Sequence, residues 1–378
     1  MYKRQLLWLK QEEPDLFRRT SLFLDVGGYL LYRCTGRMVS DWTEASVTGL
    51  FSLKKKEWDT FLMRYFGVPR EKFPPLVKST EQVGTLTAEA ARECGLLEGT
   101  PVIAGAGDAP SAAVGTGAVG EGEGHICLGT SAWVGVVTER IVTGKHGIAS
   151  IQAADPAKCF LVAETEMAGG CLKWVANQFY REEQADPQVE NVYALMDQVV
   201  EQVEPGAGSL MFTPWMYGER CPVADVHVRS TFLNLSADHT REHMLRAVYE
   251  GVAFNLRWMV ELTSDLYGFR LPTLRIIGGG AQGAPWMQIL ADVTGKRVET
   301  VANPLEAGAV GAALVAAVGL GLYPDFLSLK EAVRVARVFE PNPASAEVYD
   351  ALFDIYKQVY RALRGVYRQL SQVRTMAG

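Results

Sequence analysis

Asp108 and the tripeptide Gly129-Thr130-Ser131 are the residue types in this chain best suited to do chemistry. Asp108 stands at the apex of a glycine-rich bend, GAGDAPSAAVG. The bend follows a short apolar run, Pro101 to Ala104, that reads as a buried strand. Gly129-Thr130-Ser131 joins two β-rich runs, His125 to Leu128 and Ala132 to Val137. A strand–turn–strand with these residues at its bend offers backbone N–H groups and hydroxyls to an anion, usually phosphate. An acid beside a phosphate cradle suits phosphoryl transfer to a hydroxyl, with the acid accepting the proton. Read alone, the stretch is more simply an ordinary glycine turn in which Asp serves its own backbone hydrogen bonds.

Two more glycine clusters precede helical patterns. AGGCLKWVANQFY starts at Gly169-Gly170 and places Leu172, Val175, Ala176 and Phe179 on one face. Its glycines either admit a nucleotide to the helix N-terminus or allow close helix–strand packing. TLRIIGGGAQGAPWMQILADVTG reads as buried strand, triglycine bend and helix, with no side chain where the backbone turns. It lacks the GxGxxG spacing of dinucleotide sites. His239 and His243 stand at the i, i+4 spacing of a zinc pair, but no third ligand accompanies them, so an exposed first helical turn is the simpler reading.

Around these residues the chain must build a large core. Its 378 residues exceed one ordinary domain. A hydrophobic content of 48% and a charged content of 21% fit a globular protein. The formal net charge of −6, with no long basic run, argues against nucleic-acid or anionic-membrane partners. No apolar run reaches transmembrane length and no signal-peptide pattern appears, which points to the cytoplasm. The six cysteines are scattered without CxxC spacing, so reduced thiols are expected rather than a disulfide or metal framework.

Residues 1–98 read as mainly helical. LFLDVGGYLLYRCTG is either a strand–GG–strand phosphate hairpin with Asp25 as a metal acid, or a helix ending at Gly36. The helix is preferred, with Tyr29, Leu30 and Tyr32 on its buried side. SDWTEAS supplies capping residues, and Thr87 and Gly95 bracket another short helix. Residues 99–332 form the second unit. It includes residues 209–236, read as a strand, a long charged irregular loop and a short strand, and a long helix capped by Ser236 and Asp238. Residues 333–378 read as a loop and a basic amphipathic helix.

In order, AGAGDA, LGTS, YGERCP, RIIGGGAQ with WMQILADVTG, and EAGAVGAALVA resemble the FGGY carbohydrate kinases, nearest the xylulose-kinase branch. The likeness also takes in KRQLLWLKQEEP, YLLYRCTGRMVSDWTEAS and EGVAFNLRW. It implies an α/β fold of the actin-like, ribonuclease-H-like type, and phosphorylation of a sugar by ATP with Mg²⁺. Asp108 matches the catalytic base. Gly129, Thr130 and Ser131 match a phosphate hairpin. Gly279, Gly280 and Gln282 match the adenosine motif, and Gly169 and Gly170 fall beside the nucleotide. Ala109 stands where xylulose kinases often carry an Asn that contacts sugar. Xylulose is the expected substrate, with another ketose or a polyol as alternatives.

The family's DxGTT-like hairpin, whose Asp organises Mg²⁺, does not occur in this sequence. The expectation is therefore a remnant of the first domain plus a complete second domain, with impaired activity. The alternatives are an inactive nucleotide-binding remnant or one half of a split kinase. Besides sugar and ATP, the partners implied are a second copy or a separate N-terminal fragment. Another actin-like ATPase, such as a chaperone or a dehydratase activator, is disfavoured because no cluster-binding cysteines accompany Asp108.

Overall fold

The computed structural model of the chain describes residues 2–142 and 144–377. Its centre is a seven-stranded mixed sheet. The strands are β1 (Gly124–Leu128), β2 (Ala132–Thr138), β3 (Ile148–Gln152), β4 (Cys159–Thr165), β5 (Thr273–Ile277), β6 (Arg297–Val301) and β7 (Val335–Phe339), in the order β7-β6-β5-β1-β2-β4-β3. β1, β5 and β6 run parallel, with Ile277 opposite Cys127 and Ile276 opposite Thr300. The other neighbours are antiparallel. Strands of this kind, apolar at consecutive positions, are buried on both faces by helices.

The N-terminal part packs short helices around its own core of Leu6, Phe17, Leu50, Trp58, Met63 and Phe73. The helices Tyr2–Glu12, Pro14–Arg19, Val26–Thr35, α1 (Trp42–Val47), Thr60–Phe66 and Ala88–Cys94 alternate with two- to four-residue strands. Asp41 caps α1, accepting from the Thr43 N–H at 2.7 Å. Thr87 caps Ala88–Cys94, which Gly95 closes in the left-handed conformation. Val26–Thr35 is helical and ends at left-handed Gly36, as expected. Asp25 is its N-cap, bonded to the Gly28 N–H. The buried side differs from the expectation. Gly28 and Leu31 are inside, while Tyr29 and Leu30 are 49% and 56% exposed. Pro101–Ile103 also departs from the expected buried strand. It pairs with Gln82–Thr85 in a separate two-stranded sheet, and Pro101 is exposed.

One face of the main sheet carries α2 (Asp108–Gly115) and α7 (Ala307–Gly319). The other carries α3 (Gly169–Phe179), α4 (Val192–Glu201), α5 (Arg241–Tyr267), α6 (Ala284–Thr294) and the long C-terminal α8 (Ala346–Ala377). The tail is not a loop followed by a helix, because Val335–Phe339 adds edge strand β7 to the sheet. α5 begins later than expected. Thr240, not Ser236 or Asp238, is its cap, and His243 Nδ1 accepts from the Thr240 N–H at 3.2 Å. His239 and His243 therefore serve the turn that opens α5.

Within 209–236 the short strands Met211–Phe212 and Phe232–Leu233 pair antiparallel, and the loop between them is fastened by Glu219. Its buried carboxylate accepts from the Thr165 hydroxyl at 2.6 Å, the Glu166 N–H at 2.9 Å, the Arg220 N–H at 2.8 Å and the Asn255 amide at 3.0 Å. Burial pushes the Glu219 carboxyl up to about 7, against the lowering effect of those donors. Outside it, Arg220 pairs with Glu164 and Glu166. The loop's charges thus clamp it to β4 and α5.

A methyl group at Gly311 of α7 would overlap the Ser111 carbonyl of α2, whereas one at Gly308 meets nothing within 4 Å. Alanine favours a helix interior over glycine by about 1 kcal/mol, but backbone overlap cannot relax. Gly311→Ala should therefore lose about 1–3 kcal/mol in denaturant unfolding, and Gly308→Ala should lose none. Equal behaviour of the two variants would contradict the close crossing. Folded Glu219 keeps a proton that the unfolded carboxyl releases near 4.5. That contribution is full below 4.5 and lost as pH rises through about 7. The thermal midpoint of the parent should fall relative to Glu219→Gln between about pH 5 and pH 8, and parallel curves would exclude the shift.

Candidate functional site

The parallel pairing of β1 with β5 brings two distant glycine turns side by side. After Leu128 the chain turns through Gly129-Thr130-Ser131, where the Gly129 N–H donates to the Ser131 carbonyl at 2.9 Å. After Ile277 it turns through Gly278, then the single 3₁₀ turn Gly279–Gln282. Gly278 has φ of +89°, and a Cβ there would stand 2.7 Å from the Leu128 carbonyl oxygen. Only glycine allows this crossing. Arg337 of β7 donates to the Ala281 and Gln282 carbonyls, so the tail strand holds the second turn.

The start of α3 closes the third side. The N–H groups of Gly169 and Gly170 donate to the carbonyls of Gly129 at 2.9 Å and Thr130 at 3.0 Å. A Cβ at Gly169 would lie 2.6 Å from the Gly129 oxygen. Between the two readings of this glycine pair, close packing accounts for both residues. Their N–H groups are engaged by the loop, and their missing side chains let it approach.

These turns surround a cavity of about 560 Å³. Gly129, Thr130, Gly169, Gly170, Gly279, Gly280 and Gln282 all line it. A Cβ at Gly279 would meet nothing within 4 Å, so that position opens onto the cavity. Sequence reasoning missed the far wall, made by α4 and the residues packed on it. Asn191 caps α4, accepting from the Tyr193 N–H at 2.9 Å. Asp197 Oδ1 accepts from the Tyr249 hydroxyl at 2.8 Å, and burial pushes its carboxyl up. Tyr249 packs on Trp286 with ring centroids 5.2 Å apart. Exposed Lys173 of α3 adds a cation to the lining. The signal for α4 was present in Asn191 followed by the apolar spacing of Val192, Met196 and Val200.

Asp108, Ala109 and Ser131 do not line this cavity. Asp108 is exposed at the N-terminus of α2, with its Oδ1 accepting from the Ala109 N–H at 2.7 Å. Its charge reaches the sheet end from the other face. Burial pushes the Cys127 thiol up to about 12, and Asp108 pushes it the same way. Cys127 precedes Leu128 and the Gly129 turn, so acid and cradle flank the same strand end. Ala109 is half-buried, packed with Ala113 and Trp133. Among the described residues no cluster of three or more His, Cys, Asp or Glu side chains forms a metal site. Among the described residues no helix is long and apolar enough to cross a membrane.

Two family models match the chain, covering the N-terminal and C-terminal domains of the FGGY family of carbohydrate kinases. They match residues 3–115 and 124–320 respectively. The chain is 32% identical over 377 residues to a xylulose kinase of Bacillus subtilis (strain 168), covering 98% of this chain and 72% of that protein. Two solved structures from Lactobacillus acidophilus each align with a TM-score of 0.88 at 25% identity, over 98% of this chain and 73% of theirs. One is a ligand-bound xylulose kinase and the other a gluconate kinase. The fold is thereby the actin-like kinase fold expected. The N-terminal domain model is matched over residues 3–115, and that match gives no support to the expected remnant or to the expected impairment. With both domain models matched and a relative at this identity, the chain belongs to the FGGY family of carbohydrate kinases.

Proposed function

We propose that this chain is an ATP-dependent sugar kinase acting on a ketose of the xylulose type. One observation supports the reading above the rest. Three glycine turns converge on one cavity at the end of β1, and the helix bearing Asp108 packs against the opposite face of that strand. The cavity suits a nucleotide. Glycine backbone at Gly129 and Gly279 gives phosphate and ring room to approach, Thr130 adds a hydroxyl, and Lys173 adds a cation. ATP supplies the phosphoryl group.

Asp108 is the general base in this reading. As the sugar hydroxyl oxygen bonds to phosphorus, its proton passes to an Asp108 carboxylate oxygen, and the leaving nucleotide takes the electron pair of the broken P–O bond. The Gly129-Thr130-Ser131 turn positions the transferring end, and most of the rate comes from such positioning. Xylulose is chosen because the Bacillus subtilis relative carries that name. The equal likeness to a gluconate kinase structure puts gluconate in the same assay.

Purified chain should phosphorylate xylulose in an ATP-dependent assay, and should bind ADP by calorimetry. ADP binding without turnover on any sugar of the panel would replace the kinase reading with that of a nucleotide-binding protein. Asp108→Asn should lower kcat by about two orders of magnitude or more and leave ADP affinity unchanged, because a base acts in the transition state. Retained turnover would move the base elsewhere. Gly279→Leu points a side chain into the open cavity. It should weaken ADP binding by about tenfold or more with parental thermal stability, and unchanged ADP affinity would take the nucleotide out of this cavity.

A further inference from the structure

The residue before Asp108 is held by a side chain from the N-terminal part of the chain. The Gly107 N–H donates to Thr43 Oγ1 at 2.7 Å. Thr43 sits in the first turn of α1, is 1% exposed, and donates its own hydroxyl proton to Asp41 Oδ1. That carboxylate is fixed by the helix it caps, through the Thr43 N–H at 2.7 Å and the Glu44 N–H at 3.4 Å. A hydroxyl has one proton and two lone pairs. With the proton directed to Asp41, a lone pair faces Gly107.

Gly107 is the N-cap of α2 and brings no side chain to cap the helix itself. Glu44 Oε1 stands 2.8 Å from the place a Cβ at Gly107 would occupy, so α1 closes on it from a second direction. At its other end α2 is fixed by the close crossing of Gly115 with α7. The Asp108 backbone thus lies between a buried hydrogen bond and a helix–helix contact. The N-terminal part reaches α2 here through a buried threonine that lies outside the nucleotide cavity.

We propose that Thr43 is a positioning residue of this site. Its hydroxyl, aimed by Asp41, fixes the backbone at Gly107 and so the direction in which Asp108 presents its carboxylate. The proposal rests on reading Asp108 as the base. Reactions of this kind lose rate steeply when a reacting group shifts, by roughly 100-fold for about 1 Å. A buried hydrogen bond to the preceding residue is a direct way to prevent such a shift.

Thr43→Val keeps the shape and removes the hydroxyl, while Thr43→Ser keeps the hydroxyl. The valine variant should lower kcat about 10- to 100-fold with KM for ATP within about twofold. Serine should restore most of the rate. The Gly107 amide should exchange with solvent faster in Thr43→Val than in the parent or Thr43→Ser, a readout that needs no turnover. Parental kcat in the valine variant, a loss that serine does not restore, or unchanged Gly107 exchange would each overturn the proposal. Asp108→Asn is run beside them. Retained turnover there removes the base and the proposal with it. Lost turnover there with an unaffected Thr43→Val removes the proposal alone.

Discussion

The constraint on which the site depends is the parallel register of β1 with β5. It sets Ile277 opposite Cys127, so the chain leaves both strands at the same level of the sheet. Gly278 must then pass over the Leu128 carbonyl, and the next residues open onto the cavity beside the Gly129 turn. A ligand at the C-terminal ends of parallel strands is the usual outcome of such an arrangement, because the turns there present backbone N–H groups and no covering side chains. α3 completes it by donating its first N–H groups to the carbonyls of that turn. The turn is thereby held rigid by backbone contacts, whatever occupies the cavity.

The opposite face of the sheet obeys a second close-approach rule. α2 and α7 meet where Gly115 and Gly311 leave room for the Ala307 and Ser111 carbonyls. Both helices are rich in alanine and glycine, which reads in the sequence as low specificity but in the structure as a short interhelical distance. The consequence is that α2 has little freedom along its length. Its N-terminal residue Asp108 inherits that rigidity and lies near the strand end from which the glycine turn departs.

Local signals were legible in the sequence, and non-local ones were not. Caps and stops follow from the chemistry of single residues, so Asp41, Thr87, Gly36 and Gly95 bound their helices where side-chain type predicts. Which face of Val26–Thr35 turns inward depends on neighbours far away in the chain, and there the apolar residues Tyr29 and Leu30 misled. The edge strand β7, VARVF, alternates half-buried with exposed positions, and it becomes a strand of the main sheet only by pairing with β6 far away in the chain. Of the candidate site, glycine-rich turns marked three walls of the cavity. The fourth wall, α4 with Asn191 and Asp197, carries ordinary helix signals and becomes part of the site only through packing against α5 and α6.

Several oriented polar contacts join the N-terminal part to the sheet unit. Ser46 accepts from the Gln152 N–H at 3.0 Å, Lys56 donates to the Gln152 side chain, Ser79 donates to the Ala154 carbonyl, and Thr43 accepts from Gly107. Each such bond contributes about 1 kcal/mol net, far less than either hydrophobic core. Burial pushes the Asp41 carboxyl at this seam up to about 7, and Glu44 and Asp25 push the same way, while the Thr43 hydroxyl and N–H oppose them. A carboxylate kept there against its desolvation cost, with its oxygen turned to Thr43, contributes orientation more than stability. Orientation is what an acid at the end of a short helix requires from the structure around it.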